Sequence, residues 1–194
     1  KDPGVNFRQR LDSVQRVRKE RNQRLTCRLR ELGMSIRLED AEALGRAQTG
    51  RPHFAQALVN KGYVASYREA FDRYLDESKP GYVERHDPSV DSVLDWIREG
   101  GGISSWAHPM RFIEQEGRPA EDLFSALAEK GLDAVEVFHS DHTLEQSKLL
   151  HQAAMSLGLA VTGGSDFHGG GRSRAPLGAL NLPLSILQSL RASA

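Results

Sequence analysis

The sequence is short of cysteine, of long apolar runs and of any surplus of charge, and each shortage removes a class of protein. A single cysteine, Cys27, excludes an internal disulfide and any zinc finger built on thiolates. One thiol is compatible with a reducing cytoplasm, which is the expected location. Acidic and basic residues number 26 each, so no global field draws the chain to nucleic acid or to a membrane. No apolar run approaches the roughly 18 to 20 residues that span a bilayer. The opening KDPGVNFRQRL is charged and has neither an initiator methionine nor the apolar stretch of a signal peptide. It leads us to expect a piece of a longer polypeptide. Internal repeats and low-complexity segments are absent as well. The 194 residues still suffice for one medium domain, or for a small module beside part of a larger one. A chain of that size hides roughly 70% of its unfolded surface.

What is present divides near residue 86. Residues 1–86 read as a helical domain. Phe7, Leu11 and Val14 recur at helical spacing, and Leu25, Leu29 and Leu32 resume the stripe before Gly33. Nine basic residues from Arg8 to Arg30 lie among them. Shorter helices are expected at about 38–46, 52–61 and 66–76. In TGRPHFAQALVNKGY, Pro52 suits a first helical turn and Gly62 a C-terminal cap. Residues 87–194 alternate instead. A helix opens at Asp87-Pro88 and closes at the glycines 100–102; ISSWAHP reads as a buried strand; 119–130 is a helix stopped by Gly131. DAVEVFHS is a second strand, Thr143 and Gln146 form a capping box for the next helix, LAVTGGSDFH is a third strand, and a short helix follows Pro183. Strands alternating with helices predict a parallel α/β unit.

The polar residues that matter fall at strand ends. His108 follows the first strand, His139 ends the second, and Asp166 and His168 follow the third. In a parallel barrel the carboxyl ends of the strands form the face where chemistry occurs. Imidazole nitrogens and carboxylate oxygens suit zinc, manganese or iron. In an extended Asp-x-His the two side chains point to opposite sides, so they could serve neighbouring metals. Gly163 and Gly164 would let the backbone approach closely. Trp106 and Phe138 read as packing residues, His142 as a neighbour of the next helix cap, and His86 and His151 as surface residues.

WAHPMRF, GLDAVEVFHSDHT and VTGGSDFHG resemble the carboxyl-terminal motifs of the PHP (polymerase and histidinol phosphatase) superfamily. RQRLDSVQRVRKERNQRL, GRPHFAQALVNKGYV and AFDRYLDESKPGYV resemble the helical insertion of its bacterial phosphoesterases, which include a nucleoside 3′,5′-bisphosphate phosphatase and a 5′-to-3′ exoribonuclease. The resemblance implies the carboxyl-terminal part of a distorted (β/α)₇ barrel with a helical insertion domain. It implies up to three divalent metals (Mn, Zn or Fe), with His108, Asp166 and His168 as ligands and the last two at the catalytic centre. It places Arg51, His53 and Lys79 against substrate phosphate, with Arg111 a further phosphate partner and His139 a polar residue on the substrate side. A planar guanidinium binds phosphate oxygens in pairs, which puts Arg51 first.

The superfamily's amino-terminal motifs, an H-x-H after the first strand, an Asp-His pair and a Glu followed by His, are not found. The missing part is therefore expected upstream in the same polypeptide, and this stretch is expected to be nearly inactive alone. The implied reaction is hydrolysis of phosphate esters of nucleotides, or of short RNA 5′ ends, by a metal-activated water. Two alternatives stay open: a non-catalytic nucleic-acid-binding helical module on a degenerate barrel, and a metal hydrolase of amides or rings on a similar barrel.

Overall fold

A computed structural model describes residues 2–45, 49–167 and 175–192. The chain divides into two compact units, Arg8–Pro88 and Ser89–Ala194 together with Lys1–Phe7.

The helical unit starts from α1 (Gly4–Glu31), whose buried positions Arg21, Asn22, Leu25, Thr26 and Leu29 repeat every three or four residues along one stripe. The rest of the unit comprises α2 (Leu38–Gly45), α3 (Arg51–Asn60) and α4 (Tyr67–Ala70), which runs into a π-helical turn, Phe71–Leu75. Leu25, Leu29, Ile36, Phe54, Leu58 and Leu75 are fully buried at its centre. Sequence expectation and structure agree at the ends of α3. Pro52 sits in the first turn, where no helical N–H is lost. Gly62 takes a left-handed φ of +75°, and its N–H and that of Tyr63 return to the carbonyls of Val59 and Leu58. The helix expected at 66–76 appears as one α-helical turn and a π-helical turn.

The second unit carries a parallel sheet in the order β1 (Ser105–Trp106), β2 (Ala134–His139), β3 (Ala160–Gly164). Helix α5 (Val90–Glu99) precedes β1, α6 (Met110–Glu116) and α7 (Ala120–Ala128) connect β1 to β2, α8 (Leu144–Ser156) connects β2 to β3, and α9 (Leu184–Ala192) follows β3. The core beside the sheet holds Phe124, Val135, Val137 and Leu150, with Trp106 edge-on to Phe124 at 5.6 Å. α8 begins with the expected capping box: Gln146 N–H donates to Thr143 Oγ1 at 3.1 Å and Thr143 N–H to Gln146 Oε1 at 2.7 Å. Two expectations need correcting. The α5 cap is Ser89, whose hydroxyl accepts the Ser92 N–H, and not Asp87. The strand expected over ISSWAHP is only Ser105–Trp106, because His108 turns into the left-handed region at φ +34° and Pro109 caps α6, a helix that the sequence reading did not separate.

Candidate active site

Parallel pairing puts the carboxyl ends of β1, β2 and β3 at one edge of the sheet, and His108, His139 and Asp166 lie there. His108 lies two residues past β1 and donates its backbone N–H to Glu136 Oε2 at 2.7 Å. Asp166 lies two residues past β3 at φ +49°. For a residue other than glycine, such a backbone costs on the order of 1–3 kcal/mol and persists only where its surroundings hold it. The Glu136 carboxylate supplies that hold at His108. Between these two stands His139, the last residue of β2, only 2% exposed. Its ring centroid is 6.0 Å from that of His108, and its Nε2 is 3.9 Å from Asp166 Oδ2.

The buried His139 and the half-buried His142 have opposite tautomers. His139 Nδ1 accepts the Asp141 N–H at 3.0 Å, so the neutral ring carries its proton on Nε2. His142 Nδ1 is 2.8 Å from the Val137 carbonyl, which can only accept, so its proton is on Nδ1 and Nε2 keeps a lone pair. Both Nε2 atoms are buried without a hydrogen-bond partner among the described residues. His142, read from the sequence only as a neighbour of the α8 cap, is thus part of the histidine group, its ring 5.1 Å from that of His139. Arg111 pairs with Asp141 at 2.7 Å and is otherwise exposed. Of the two glycines, only Gly163 is required by space: a Cβ there would meet the Phe138 carbonyl at 2.6 Å, beside the register irregularity of β2. At Gly164 a Cβ would meet Glu136 Oε1 at an ordinary 3.5 Å.

A neutral imidazole and a carboxylate are the right kind of donors for a divalent cation. Among the described residues, no three His, Cys, Asp or Glu side chains are grouped to hold one. His108 and Asp166 are both neighbours of His139; His168, the remaining predicted ligand, lies outside the described residues.

The helical unit has a site of opposite character, a cavity of about 350 Å³ lined by Arg18, Arg21, Arg51 and Arg85 with His53, and by one acid, Asp87. Arg21 is buried, and burial, followed by the charges of Arg51, Arg85 and Arg18, lowers its pKa against the weaker opposing pull of Asp87. The charged form of Arg21 is thereby less favourable than in water, and an anion would restore it. Arg51 is held in place: Nη1 donates to the Leu75 carbonyl at 3.2 Å, and its Cζ lies 5.7 Å from the Tyr82 ring centroid. That carbonyl ends the π-helical turn, and Phe71 of the same turn lines the cavity. His53 accepts the Gly50 N–H on Nδ1 at 3.0 Å. Arg51 and His53 therefore line one cavity, whereas Lys79 is exposed and does not line it. Arg18, Arg21 and Arg85 were not among the phosphate contacts expected from the sequence. A signal was available: Arg21 lies four and eight residues before Leu25 and Leu29, on the buried stripe.

Comparison with known proteins agrees with the motifs. The chain is 31% identical to a 3′,5′-nucleoside bisphosphate phosphatase of Chromobacterium violaceum over 87% of its length. It is 29% identical to a 5′-3′ exoribonuclease of Haemophilus influenzae over 81% of its length.

This chain is homologous to bacterial phosphoesterases.

A third relative, 35% identical over 73% of the chain, is a phosphoribosyl 1,2-cyclic phosphate 1,2-diphosphodiesterase of Eggerthella lenta. The chain spans 57%, 59% and 53% of the lengths of the exoribonuclease, the phosphatase and the diesterase. A solved metal-dependent phosphoesterase of Bifidobacterium adolescentis superposes with a TM-score of 0.75 at 28% identity, over 93% of this chain and 64% of that one. An amidohydrolase of Chromobacterium violaceum, solved with sulfate and no metal, does so with a TM-score of 0.74 at 29% identity, over 94% and 65%. These neighbours are consistent with the PHP superfamily. No family model matches the chain. No helix among the described residues is long and apolar enough to cross a membrane.

Proposed function

We propose that the chain is part of a metal-dependent phosphoesterase that hydrolyses phosphate esters of nucleotides, such as nucleoside 3′,5′-bisphosphates, or of short RNA 5′ ends. The observation that carries this reading is the gathering of His108 and Asp166 around His139 at the carboxyl ends of parallel strands. Homology to phosphoesterases supports it. The sheet unit is read as the carboxyl-terminal part of a distorted (β/α)₇ barrel and the helical unit as its insertion.

In this reading His108, Asp166 and His168 hold divalent cations, manganese, zinc or iron. Bound cations of this kind lower the pKa of a coordinated water and neutralise phosphate oxygens. Glu136 fixes the backbone of His108 and so the direction from which its imidazole is offered. Arg51 and His53, with Arg18, Arg21 and Arg85, bind a phosphate group of the substrate in the helical unit. Paired N–H bonds from guanidinium to phosphate oxygen give that group both energy and orientation. Arg111 is a further phosphate partner only if phosphate displaces Asp141 from it, and Lys79 serves only at the periphery.

The test is a substrate panel with added Mn²⁺: a nucleoside 3′,5′-bisphosphate, a 5′-phosphorylated oligoribonucleotide and a cyclic amide. It is run on this chain and on a form extended upstream. Phosphate release that chelation abolishes supports the proposal, and the sequence expectation is that the extended form is much the faster. Turnover of the amide alone would favour the ring- and amide-hydrolase alternative. Salt-sensitive RNA binding without turnover, indifferent to divalent cations, would favour the nucleic-acid-binding module.

A further inference from the structure

We infer that His139 is a positioning residue for Asp166: its buried Nε2–H orients the Asp166 carboxylate from behind, so that the carboxylate meets a cation in one fixed orientation. This rests on reading Asp166 as a cation ligand, and it gives His139 a role other than the substrate contact expected from the sequence.

Three observations lead there. The first is the tautomer. Because the Asp141 N–H occupies Nδ1, a neutral His139 has no lone pair on Nε2 and cannot itself ligate through that atom. The second is burial. The His139 side chain is 1% exposed and the Asp166 side chain 37%, so the pair runs from the dry interior to the surface, with the carboxylate at the outer end. The third is the unmet donor. Nε2 is buried with no hydrogen-bond partner among the described residues, an arrangement that native proteins seldom leave without a use. Asp166 Oδ2 is 3.9 Å away, beyond hydrogen-bond range but within reach of a small rotation of the aspartate side chain. The other orphaned nitrogen, His142 Nε2, is an acceptor and makes no hydrogen bond with His139.

The sequence of β2 explains how the donor is aimed. The Asp141 N–H meets the ring of His139 two residues earlier, closing a local loop that sets the tautomer without any distant partner. Arg111 ties the Asp141 side chain from outside, at 2.7 Å. Hydrogen-bonding partners behind ligating carboxylates typically change metal affinity by about 10–100-fold, which sets the size of effect to look for.

Two measurements on the full chain test this. In the first, imidazole ¹⁵N–¹H spectra are recorded without metal. His139 should show its proton on Nε2, and Asp166→Ala should shift the His139 Nε2 signal while leaving that of His142 nearly in place. A His139 proton on Nδ1, or an Nε2 signal indifferent to Asp166→Ala, would overturn the inference. In the second, Mn²⁺ affinity is titrated. His139→Leu should weaken binding about 10–100-fold, and His139→Gln, whose amide can both accept from Asp141 and donate onward, should recover most of the loss. If both variants bind Mn²⁺ as wild type does, or both fail equally with unchanged melting temperatures, the donor role is wrong. If the wild type binds no Mn²⁺ but the spectral coupling is present, the positioning contact stands and the cation-ligand reading of Asp166 is what falls.

Discussion

The helical unit and the sheet unit solve the same problem, placing polar groups in a protein interior, in opposite ways. In the helical unit like charges crowd a cavity: Arg18, Arg21, Arg51 and Arg85 face one another with one acid, and the buried member is pushed toward its neutral form. In the sheet unit one imidazole is buried and a second half-buried, the carboxylate is left nearer the surface, and each ring's tautomer is set by one backbone group. The first arrangement carries an excess of positive charge, with Asp87 paired to Arg85, and the second offers donors to a cation. The difference teaches that charge accumulation and tautomer control are separate signs of a binding site. A search for ionic clusters alone finds only the first.

The largest test of the contrast is mechanical. Phe54 and Phe124 are fully buried, one in each core, and truncation of either to alanine should cost about 3–5 kcal/mol. Hydrogen exchange should show Phe54→Ala loosening residues 8–88 first and Phe124→Ala loosening 89–192 first. Uniform loss of protection in both variants would mean that the units do not respond separately. Next in size is the pocket. Arg21→Gln should lower calorimetric affinity for inorganic phosphate roughly 30-fold, about 2 kcal/mol for a charge-assisted bond, while Asp166→Asn should leave it unchanged. Conversely, Asp166→Asn should weaken Mn²⁺ binding at least as much as loss of the residue that positions it, about 10–100-fold, with Arg21→Gln neutral. Equal effects of each variant on both ligands would break the comparison. A smaller effect is expected from salt. Raising NaCl from about 0.05 to 0.2 M shortens the Debye length and should weaken phosphate binding several-fold.

The smallest effect concerns a surface pair. The hydrogen bond from Lys61, then the Arg37 N–H, holds the Asp40 carboxyl below its ordinary 3.8. A lowered acid pKa contributes stability above the unfolded value and loses it as pH falls through the folded one. Because the pair is solvent-screened, Asp40→Asn should melt only slightly lower than wild type at pH 7, and the two melting curves should converge below pH 3.8. A difference that persists in acid would assign the effect to something other than this ionisation.

Much of the local structure was legible in the chain. The α3 boundaries followed from Pro52 and Gly62, and the α8 start followed from the Thr143–Gln146 pair, because caps and boxes depend on residues a few positions apart. The helical stripe through Leu25 and Leu29 was likewise readable from spacing. The brevity of β1 was not, since it comes from the left-handed turn at His108, stabilised by a Glu136 that is distant in sequence. The arginine pocket was half legible. Arg51 and His53 were found through their motif, but Arg85 and Arg18 join them only across the fold.

The sequence by itself determined the order of elements, the caps, and the residue types available at each strand end, because these rest on local periodicity and side-chain chemistry. Only the tertiary structure decided that Arg21 is buried among three other arginines, that His139 and His142 carry their protons on different nitrogens, and that His139 stands against Asp166. Burial and the approach of His139 to Asp166 depend on which distant groups arrive at a given atom, and the two tautomers, although set by backbone groups two and five residues away, depend on how the chain turns after β2. No spacing rule within one helix or strand contains that information.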